Sequence, residues 1–532
     1  MSSVVQPSSN SVLWLALLLA LAVRAWNVHG QSLSMDEHFE VNQTRLSVAA
    51  IVMASDGFPP LYQLLHAGWN RVTGDDGARW LSVLMGVALV AVIGRIGHAV
   101  GGPAVGRASA IVSALLPIHV WFSQEARAYS LVMLLTGLTI WATLVVLGVE
   151  KGDRSNLPKR PGGCSAQIGP VPFFHRWATL AATCVLGMYT HYYFGFVIAL
   201  VGGYLMWSFR GRIGRAGWLS VGGGLLALVP LAWLLSQDLA TQVGWPHKRH
   251  FGLTELGFTY FTFLSGFTLG PSFEELHQLS TAAAIRQFAP WLALASAAGI
   301  LLVIGAVRRT ALPSRLTHDV NDGLEGPSYE HSGLLVLLSA GTVVIGVACN
   351  VFDVGYQVRY AVWSSVPCAV VLGWLVARGI TTWPGRIGSA LLLILAGSAL
   401  VHRHTEERYA NPDVRSVAQF LTIHSPQNEP VFVISDYMVP VFDYYLTSPA
   451  QILDVPAATP DADRMAHLER QFNQAVPPSG RFWLLLCRDF HQDPRHEMRD
   501  WLFARADVLS TQAFAGATLI ELRRNFTLRG PD

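Results

Sequence analysis

Two adjacent acidic residues, Asp36 and Glu37, follow the first long apolar run of the chain. They lie in the stretch Gln31-Ser-Leu-Ser-Met-Asp-Glu-His-Phe-Glu40. Carboxylates close to hydrocarbon are costly to hold, and in membrane proteins such residues mark functional positions by default. A carboxylate is also a suitable general base for a hydroxyl or amine. The simpler alternative is a solvated loop whose acids only mark the end of the first helix.

The composition is that of a protein with many membrane spans. The chain has 532 residues, of which 52% are hydrophobic and 14% are charged, whereas soluble domains contain about 25% charged residues. Its net charge of +2 gives no indication of nucleic-acid binding. The five cysteines have no CxxC spacing and lie mostly in apolar runs. They are therefore interpreted as packing residues and not as zinc ligands or disulfide partners.

Eleven apolar stretches approach the ~20 residues that a membrane-spanning helix needs. The predicted spans are 12–25, 78–98, 107–123, 128–148, 176–190, 192–208, 217–236, 288–306, 333–350, 360–378 and 385–401. No basic residue precedes the first of them and no clear cleavage pattern follows it. We therefore expect it to be a retained span and not a cleaved signal.

The distribution of Lys and Arg predicts the orientation of these spans. With the N-terminus in the cytoplasm, five inner loops hold fifteen basic residues, and the longer outer segments before residue 402 hold eight. This predicts a plasma (inner) membrane protein with an extracytoplasmic C-terminus. The segment Pro59–Val72 is too short and polar to span, and we expect an interfacial amphipathic helix there. The first outer loop then covers residues 27–77.

The polar interruptions of the hydrophobic pattern collect on the predicted outer side. They are Ser123–Tyr129, Thr190–Tyr193, Trp245–His250 and Tyr356–Tyr360. Each has a simpler explanation: Tyr and Trp are enriched at membrane interfaces, His191 is a packing residue, and Arg127 pairs with Glu125. Because all of them share one side with Asp36 and Glu37, the sequence favours a single polar site at the outer surface.

Four of these motifs resemble those of the GT-C superfamily of multi-spanning glycosyltransferases. The similar members are of the glycosyltransferase family 39 type, such as protein O-mannosyltransferases and aminoarabinose transferases. The motifs are Asp36-Glu37-His38-Phe39, Phe58-Pro-Pro-Leu-Tyr62 followed by Arg79-Trp-Leu-Ser82, Ser123-Gln-Glu-Ala-Arg-Ala-Tyr129, and Arg359-Tyr360 followed by Pro367. The resemblance covers roughly residues 10–400. One departure is Phe58, which stands where many relatives have His.

The resemblance implies transfer of a sugar from a polyprenyl-phosphate donor, with inversion at the anomeric carbon. Asp36 is then the base that activates the acceptor, and Glu37 orients the acceptor or raises the pKa of Asp36 through like-charge repulsion. Arg359 is the first candidate for the donor phosphate, because its planar fork suits phosphate oxygens. The other candidates for donor binding are Tyr360, Arg127 and Lys248.

Four further residues are predicted to line the site or contact the acceptor. They are Glu125, Tyr129, His191 and Tyr192. No cofactor is certain. A divalent ion held by Asp36, Glu125 and His191 is possible only as a weaker hypothesis, since scattered acids and histidines do not make a ligand spacing.

A change of composition near residue 408 predicts a second domain. We expect a transmembrane glycosyltransferase domain over 1–405 and a small extracytoplasmic α/β domain over 406–532. Helices are predicted at Asn411–Leu421, with a cap at its start, and from Val439. Strands are predicted at Pro430–Ser435 and Arg481–Cys487, with an edge strand at Ala517–Arg523.

Other functions compatible with many spans are a secondary transporter and a non-catalytic assembly subunit. A transporter usually shows related halves and polar residues near the bilayer midplane, whereas here these residues gather on one face. The acidic pair argues against a scaffold. Among enzymes, the alternative is a polymerase or ligase that uses a lipid-linked glycan. The sugar (mannose or another hexose or pentose) and the acceptor (lipid, glycan or protein) stay open.

Overall fold

The computed structural model of the chain describes residues 9–53, 58–148, 173–210, 213–241, 250–311, 329–425, 429–447, 449–456, 459 and 461–525. The helices are α1 (Ser9–Ala25), α2 (Met35–Gln43), α3 (Val48–Met53), α4 (Leu61–Thr73), α5 (Ala78–Leu115), α6 (Pro117–Ser123), α7 (Tyr129–Val146), α8 (Phe173–Met188), α9 (Phe194–Ser208), α10 (Arg215–Ala227), α11 (Val229–Thr241), α12 (Leu253–Ser265), α13 (Glu275–Gln278), α14 (Thr281–Gln287), α15 (Ala289–Ala311), α16 (Tyr329–Ser339), α17 (Gly341–Val351), α18 (Ser365–Gly379), α19 (Trp383–Thr405), α20 (Val414–His424), α21 (Val439–Tyr445), α22 (Asp461–Ala475) and α23 (Glu497–Phe503). The strands are β1 (Val431–Val433), β2 (Ile452–Asp454), β3 (Arg481–Leu486), β4 (Ala506–Phe514) and β5 (Ala517–Arg524).

The chain divides into two compact units. The first unit, which we call the helical unit, consists of Met1–Trp26, Gln43–Gly270 and Ile285–Leu400. The second, which we call the sheet unit, consists of Asn27–Asn42, Pro271–Ala284 and Val401–Asp532. The sequence predicts a C-terminal domain from residue 406. It gives no sign that 27–42 and 271–284 belong to the same unit.

The helical unit has the membrane-protein architecture that the sequence predicts. Within the described ranges, seven helical stretches are long and apolar enough to cross a membrane, and Ser11–Ala25 and Phe194–Ser208 are shorter apolar helices. Each of the eleven predicted spans coincides with one or two helices. The predicted spans 78–98 and 107–123 fall together on α5 and α6, because α5 continues for 38 residues.

Helix α5 reverses direction at Gly102. The backbone there has φ 80° and ψ −175°, which is not helical, and Pro103 follows. Gly94 and Ala110 would lie about 24 Å apart in a straight helix. A Cβ added to Gly94 would instead lie 3.1 Å from the Cβ of Ala110. The two halves of α5 therefore pack against each other as antiparallel helices, as the sequence predicts for two separate spans.

A buried arginine joins α1 to the end of α5 and to the end of α6. Arg24 is fully buried, and its guanidinium donates to the carbonyl oxygens of Ala114 (2.9 Å) and Ser113 (3.1 Å) and to Ser123 Oγ (3.2 Å). Gln124 Nε2 donates back to the carbonyl oxygen of Arg24 at 3.0 Å. Since a charged group in an apolar surrounding is costly unless it is hydrogen-bonded, these contacts fix α1 against the residues that lead into the Ser123–Tyr129 motif.

The sheet unit contains one five-stranded mixed sheet, in the order β2-β1-β3-β5-β4. Strand β1 pairs in parallel with β2 and β3, and β5 pairs antiparallel with β3 and β4. Side chains alternate between the two faces: Val431 and Val433 pack with α20 and α21, and Phe432 and Ile434 pack with α22 and α23. This is the α/β domain that the sequence predicts.

One detail of the predicted sheet is wrong. Ala517–Arg523 is predicted as an edge strand, but β5 lies between β3 and β4, and β4 is the edge. Strand β4 is exposed over most of its length and is rich in polar residues, so it lacks the apolar pattern by which a buried strand is recognised. The predicted strands at β1 and β3, the helix α21 and a capped helix after Asn411 are confirmed; this helix, α20, begins at Val414 and its N-cap is Asp413.

The backbones of α18 and α19 approach each other closely at two glycines, Gly379 and Gly385. A Cβ on Gly385 of α19 would lie 2.1 Å from the carbonyl oxygen of Gly379 at the end of α18, and backbone cannot move away as a flexible side chain can. We expect Gly385→Ala to destabilise the protein by about 1–3 kcal/mol and to lower the midpoint of thermal unfolding in detergent. Gly397→Ala on the same helix is the control, because no atom lies within 4 Å of its added Cβ. Equal midpoints for both variants would contradict the close approach.

Candidate functional site

Three of the sequence motifs meet in the helical unit. The hydroxyl groups of Tyr62 and Ser82 are 3.0 Å apart, and Ser82 Oγ donates to the carbonyl oxygen of Arg127 at 3.4 Å. The backbone N–H of Leu61 donates to the carbonyl oxygen of Tyr189 at 2.9 Å, just before the His191 motif. These bonds join the double-proline, Arg79–Ser82 and Ser123–Tyr129 motifs, so their spacing along the sequence has a structural cause.

Arg127 lies in the tight turn between α6 and α7. Its backbone N–H donates to the carbonyl oxygen of Glu125 at 2.8 Å. Its guanidinium lies 4.8 Å from the ring centre of Phe58 and 6.0 Å from that of Tyr129, and only 5% of the residue is exposed. An aromatic face attracts a cation, so the two rings hold this charge in a mostly apolar surrounding. The Glu125 carboxylate accepts the indole N–H of Trp121 at 2.6 Å.

His191 is a buried, neutral imidazole, and the nitrogen that carries its proton can be identified. It lies between α8 and α9, and its Nδ1 accepts the backbone N–H of Tyr193 at 3.2 Å. Burial lowers the pKa of His191 to about 3, with contributions from the charges of Arg127 and Arg359. Because Nδ1 is the acceptor, the proton of the neutral ring is on Nε2. Within the described part of the chain, this buried Nε2 has no hydrogen-bond partner.

A narrow crevice lies beside His191. Its polar and aromatic lining residues are His191, Tyr193, Arg359, Tyr360 and Trp363, and Val132, Phe194 and Val362 complete the wall. The rings of Tyr193 and Tyr360 are stacked with centres 4.5 Å apart. We call this space the arginine pocket.

Tyr129 adds another hydroxyl group close to this pocket. The residue is 2% exposed, and its ring centre is 6.2 Å from that of His191. No partner for its hydroxyl group is found among the residues that the structure describes. The pocket and its surroundings thus combine two guanidinium groups, the Nε2–H of His191 and a phenol. Donors of this kind bind phosphate oxygens.

The same residues do not fit a divalent cation. Among the described residues, no group of three His, Cys, Asp or Glu side chains is arranged to hold a metal ion. His191 carries its proton on Nε2 and is close to the charges of Arg127 and Arg359, which repel a cation. Glu125 is engaged by Trp121. We therefore derive no chemistry from a metal at Glu125 and His191.

The acidic pair begins α2 in the sheet unit, where Glu37 has a clear structural contact. Ser34 is the N-cap: its Oγ accepts the N–H of Glu37 at 3.2 Å, and the Glu37 carboxylate accepts the N–H of Ser34 at 2.9 Å. This reciprocal arrangement is a capping box. Glu37 is fully buried, whereas Asp36 is half-buried in the first turn. The helix N-terminus favours negative charge at both positions.

His38 makes two further contacts from the same helix. Its Nε2 lies 2.7 Å from the amide nitrogen of Asn42, and its ring packs edge-on against Tyr444 of α21 at 5.4 Å. The helix that carries Asp36 is therefore held both by its cap and by a contact with a second helix of the sheet unit.

The sequence-predicted site residues fall into three groups. Arg127, Tyr129, His191, Arg359 and Tyr360 lie in or beside the arginine pocket, and Asp36 and Glu37 lie in the sheet unit. Tyr192 is half-buried next to His191. Lys248 lies outside the described residues.

The predicted site residues do not include Phe58, which lies beside the pocket, or Tyr193 and Trp363, which line it. Phe58 packs edge-on against His191 at 5.3 Å as well as facing Arg127, and its departure from the family pattern was the available signal. Tyr193 and Trp363 line the pocket. Trp363 is three residues after Tyr360 in the 3₁₀ segment Val358–Ser364, where residues three apart share a face.

Comparisons with known proteins bear on the fold. No protein-family model matches the chain, and no curated protein matches it. The oligosaccharyltransferase of Archaeoglobus fulgidus, in its complex with Zn and sulfate, is 10% identical, with a TM-score of 0.51 over 92% of this chain and 69% of that one. Its apo form is also 10% identical, with a TM-score of 0.51 over 94% and 72%.

ArnT from Cupriavidus metallidurans in the apo state is 13% identical, with a TM-score of 0.45 over 99% of this chain and 100% of that one. The fold assignment comes from the oligosaccharyltransferase, since its TM-score is above 0.5. The chain has the fold of this oligosaccharyltransferase, which is the GT-C fold that the resemblance of its motifs implies.

Proposed function

We propose that the chain is an integral membrane glycosyltransferase that uses a polyprenyl-phosphate-linked sugar. The observation that carries the proposal is the arginine pocket, in which motifs distant in sequence bring Arg359 and a neutral His191 donor together beside Arg127. The GT-C fold supports the enzyme class. The acceptor is a lipid, glycan or protein at the outer face of the membrane.

In this mechanism, the arginine pocket binds the donor phosphate. Negative charge builds up on the phosphate as its bond to the sugar breaks, and donors already in place stabilise that charge without reorganisation. The Arg359 fork, the Nε2–H of His191 and the positive charge of Arg127 serve this purpose. The stacked rings of Tyr193 and Tyr360 keep water away from the pocket and so strengthen these interactions.

Asp36 is the proposed base for the acceptor. Its carboxylate takes the proton from an acceptor hydroxyl or amine while the acceptor atom forms a bond to the anomeric carbon. The bond between that carbon and the phosphate oxygen breaks, and the polyprenyl phosphate leaves with the electron pair. A single displacement of this kind inverts the anomeric centre.

We assign two roles to Glu37. Its capping box fixes the first turn of α2 and hence the backbone at Asp36. It is also the proposed residue for orienting the acceptor.

The pocket generates a prediction that needs no substrate. We expect sulfate to raise the midpoint of thermal unfolding of the purified protein more than chloride at equal ionic strength, because a bound anion stabilises the folded state. Arg359→Gln and His191→Phe remove a charge and a donor from the pocket, and each is expected to reduce this difference.

The control for the sulfate measurement is Arg45→Gln, which removes a half-exposed guanidinium bonded to Asp75. Sulfate also stabilises proteins by exclusion from their surface, and that general effect is the same in all variants. An unchanged sulfate effect in both pocket variants would argue against anion binding at this place.

The base assignment predicts the effect of Asp36→Asn on transfer. Full-length protein in detergent is supplied with radiolabelled undecaprenyl-phosphate sugars and a crude membrane extract as acceptor. We expect transfer to fall by about a hundredfold or more, because general-base catalysis contributes about 10²–10⁴ in rate. Asp76→Asn is the control, since this acid is exposed in the same predicted outer loop. Equal transfer by wild type and Asp36→Asn would refute the base assignment.

A further inference from the structure

The segment before the acidic pair is bonded to the start of α20. Ser32 is 1% exposed, and its hydroxyl donates to Asp413 Oδ1 at 3.0 Å while accepting the backbone N–H of Arg415 at 3.2 Å. Asp413 is the N-cap and also accepts the N–H of Ser416 at 3.2 Å. The first N–H groups of a helix have no partner within it. Ser32 therefore supplies a cap from almost four hundred residues away.

Arg415 holds the same segment through its side chain. Its two terminal guanidinium nitrogens donate to the carbonyl oxygens of His29 (3.1 Å) and Gln31 (2.9 Å). The guanidinium also lies 5.5 Å from the ring centre of Tyr445. A planar fork that reaches two carbonyl groups two residues apart defines the path of the backbone between them.

The attachment continues up to the first turn of α2. The backbone N–H of Leu33 donates to the Tyr445 hydroxyl at 3.0 Å, and Asn411 Nδ2 donates to the Ser32 carbonyl oxygen at 3.2 Å. Met35 packs against the apolar cluster that contains α20 and α21. The next residue is Asp36. Every residue from Ser32 to Met35 is thus held by the sheet unit or by the capping box.

The start of α20 is itself anchored to the sheet. The backbone N–H of Asp413 donates to the carbonyl oxygen of Ala515 at 2.8 Å, in the turn between β4 and β5. Gly516 in that turn has φ +63°, and a Cβ there would lie 3.2 Å from Pro412. The attachment point before α20 is therefore fixed to the hairpin formed by β4 and β5.

We propose that Ser32, Asp413 and Arg415 are positioning residues for Asp36, so that the sheet unit sets the place of the base. The inference rests on the proposed function, in which Asp36 acts on the acceptor. A displacement of about 1 Å in a catalytic group can cost about a hundredfold in rate. The base lies four residues from Ser32, and loss of the attachment shifts it without changing its chemistry.

The test is a double-mutant cycle in the full-length protein. Ser32→Ala and Arg415→Met are each made in the wild-type and in the Asp36→Asn background, and transfer from undecaprenyl-phosphate sugars is measured. We expect each variant to reduce transfer ~10- to 100-fold in the wild-type background. In the Asp36→Asn background we expect a change of no more than about twofold, because two residues that act through one step are not additive.

Two further variants make the result specific. Arg415→Lys keeps a charged donor nitrogen but loses the planar fork, and we expect it to recover part of the loss caused by Arg415→Met. Arg481→Met removes an exposed arginine of the same unit, paired with Glu521 at 3.1 Å, and we expect it to keep full transfer. Hydrogen exchange of residues 29–38 provides a readout independent of activity. We expect faster exchange there in Arg415→Met and no change in Arg481→Met.

The outcomes separate this proposal from the proposed function. Equal fold losses in both backgrounds, or no loss in the wild-type background, would overturn the positioning role while leaving the base in place. Unchanged exchange at 29–38 in Arg415→Met would also overturn it. Full transfer by Asp36→Asn would instead remove the base assignment, and the positioning role with it.

Discussion

The structure depends on the rule that polar groups taken out of water need hydrogen-bond partners. The guanidinium of Arg24 is surrounded by carbonyl oxygens and a hydroxyl, and Ser82 bridges Tyr62 and the backbone of Arg127. These satisfied groups hold the helical unit together. In the same unit, Nε2 of His191 has no partner within the described ranges. A buried donor left in this condition is costly, and binding an anion would remove the cost.

Membrane physics explains why much of the fold follows from the sequence. Every span needs a long apolar run, so the predicted spans coincide with helices, and Gly101-Gly102-Pro103 marks the reversal inside α5. The attachment of 27–42 to the sheet unit leaves no such signal. The attachment consists of single hydrogen bonds, such as the one from Ser32 to Asp413. The residues that form these bonds follow no periodic pattern, and they lie far apart in the sequence.

In the candidate site, too, some features can be predicted from the sequence and others cannot. Arg359, Tyr360 and His191 are predictable because they interrupt apolar runs, and the structure places them around one pocket. The protonation state of a site residue, and the hydrogen bonds that hold it in place, cannot be predicted from the sequence in the same way. The Nε2–H state of His191 follows from a backbone contact with Tyr193, and the capping role of Glu37 follows from the position at which α2 begins. The Ser34-x-x-Glu37 spacing is the sequence signal for this capping role.

The use of arginine at Arg127 has a physical reason. A lysine at 5% exposure would be driven towards its neutral form, because burial lowers the pKa of an ammonium group readily. A guanidinium keeps its charge, and its flat face packs against Phe58. A residue with an apolar ring at position 58 therefore suits a permanent cation. Phe58 and the neutral His191 are thus two parts of one arrangement, in which the positive charge among these described residues is carried by Arg127 and Arg359.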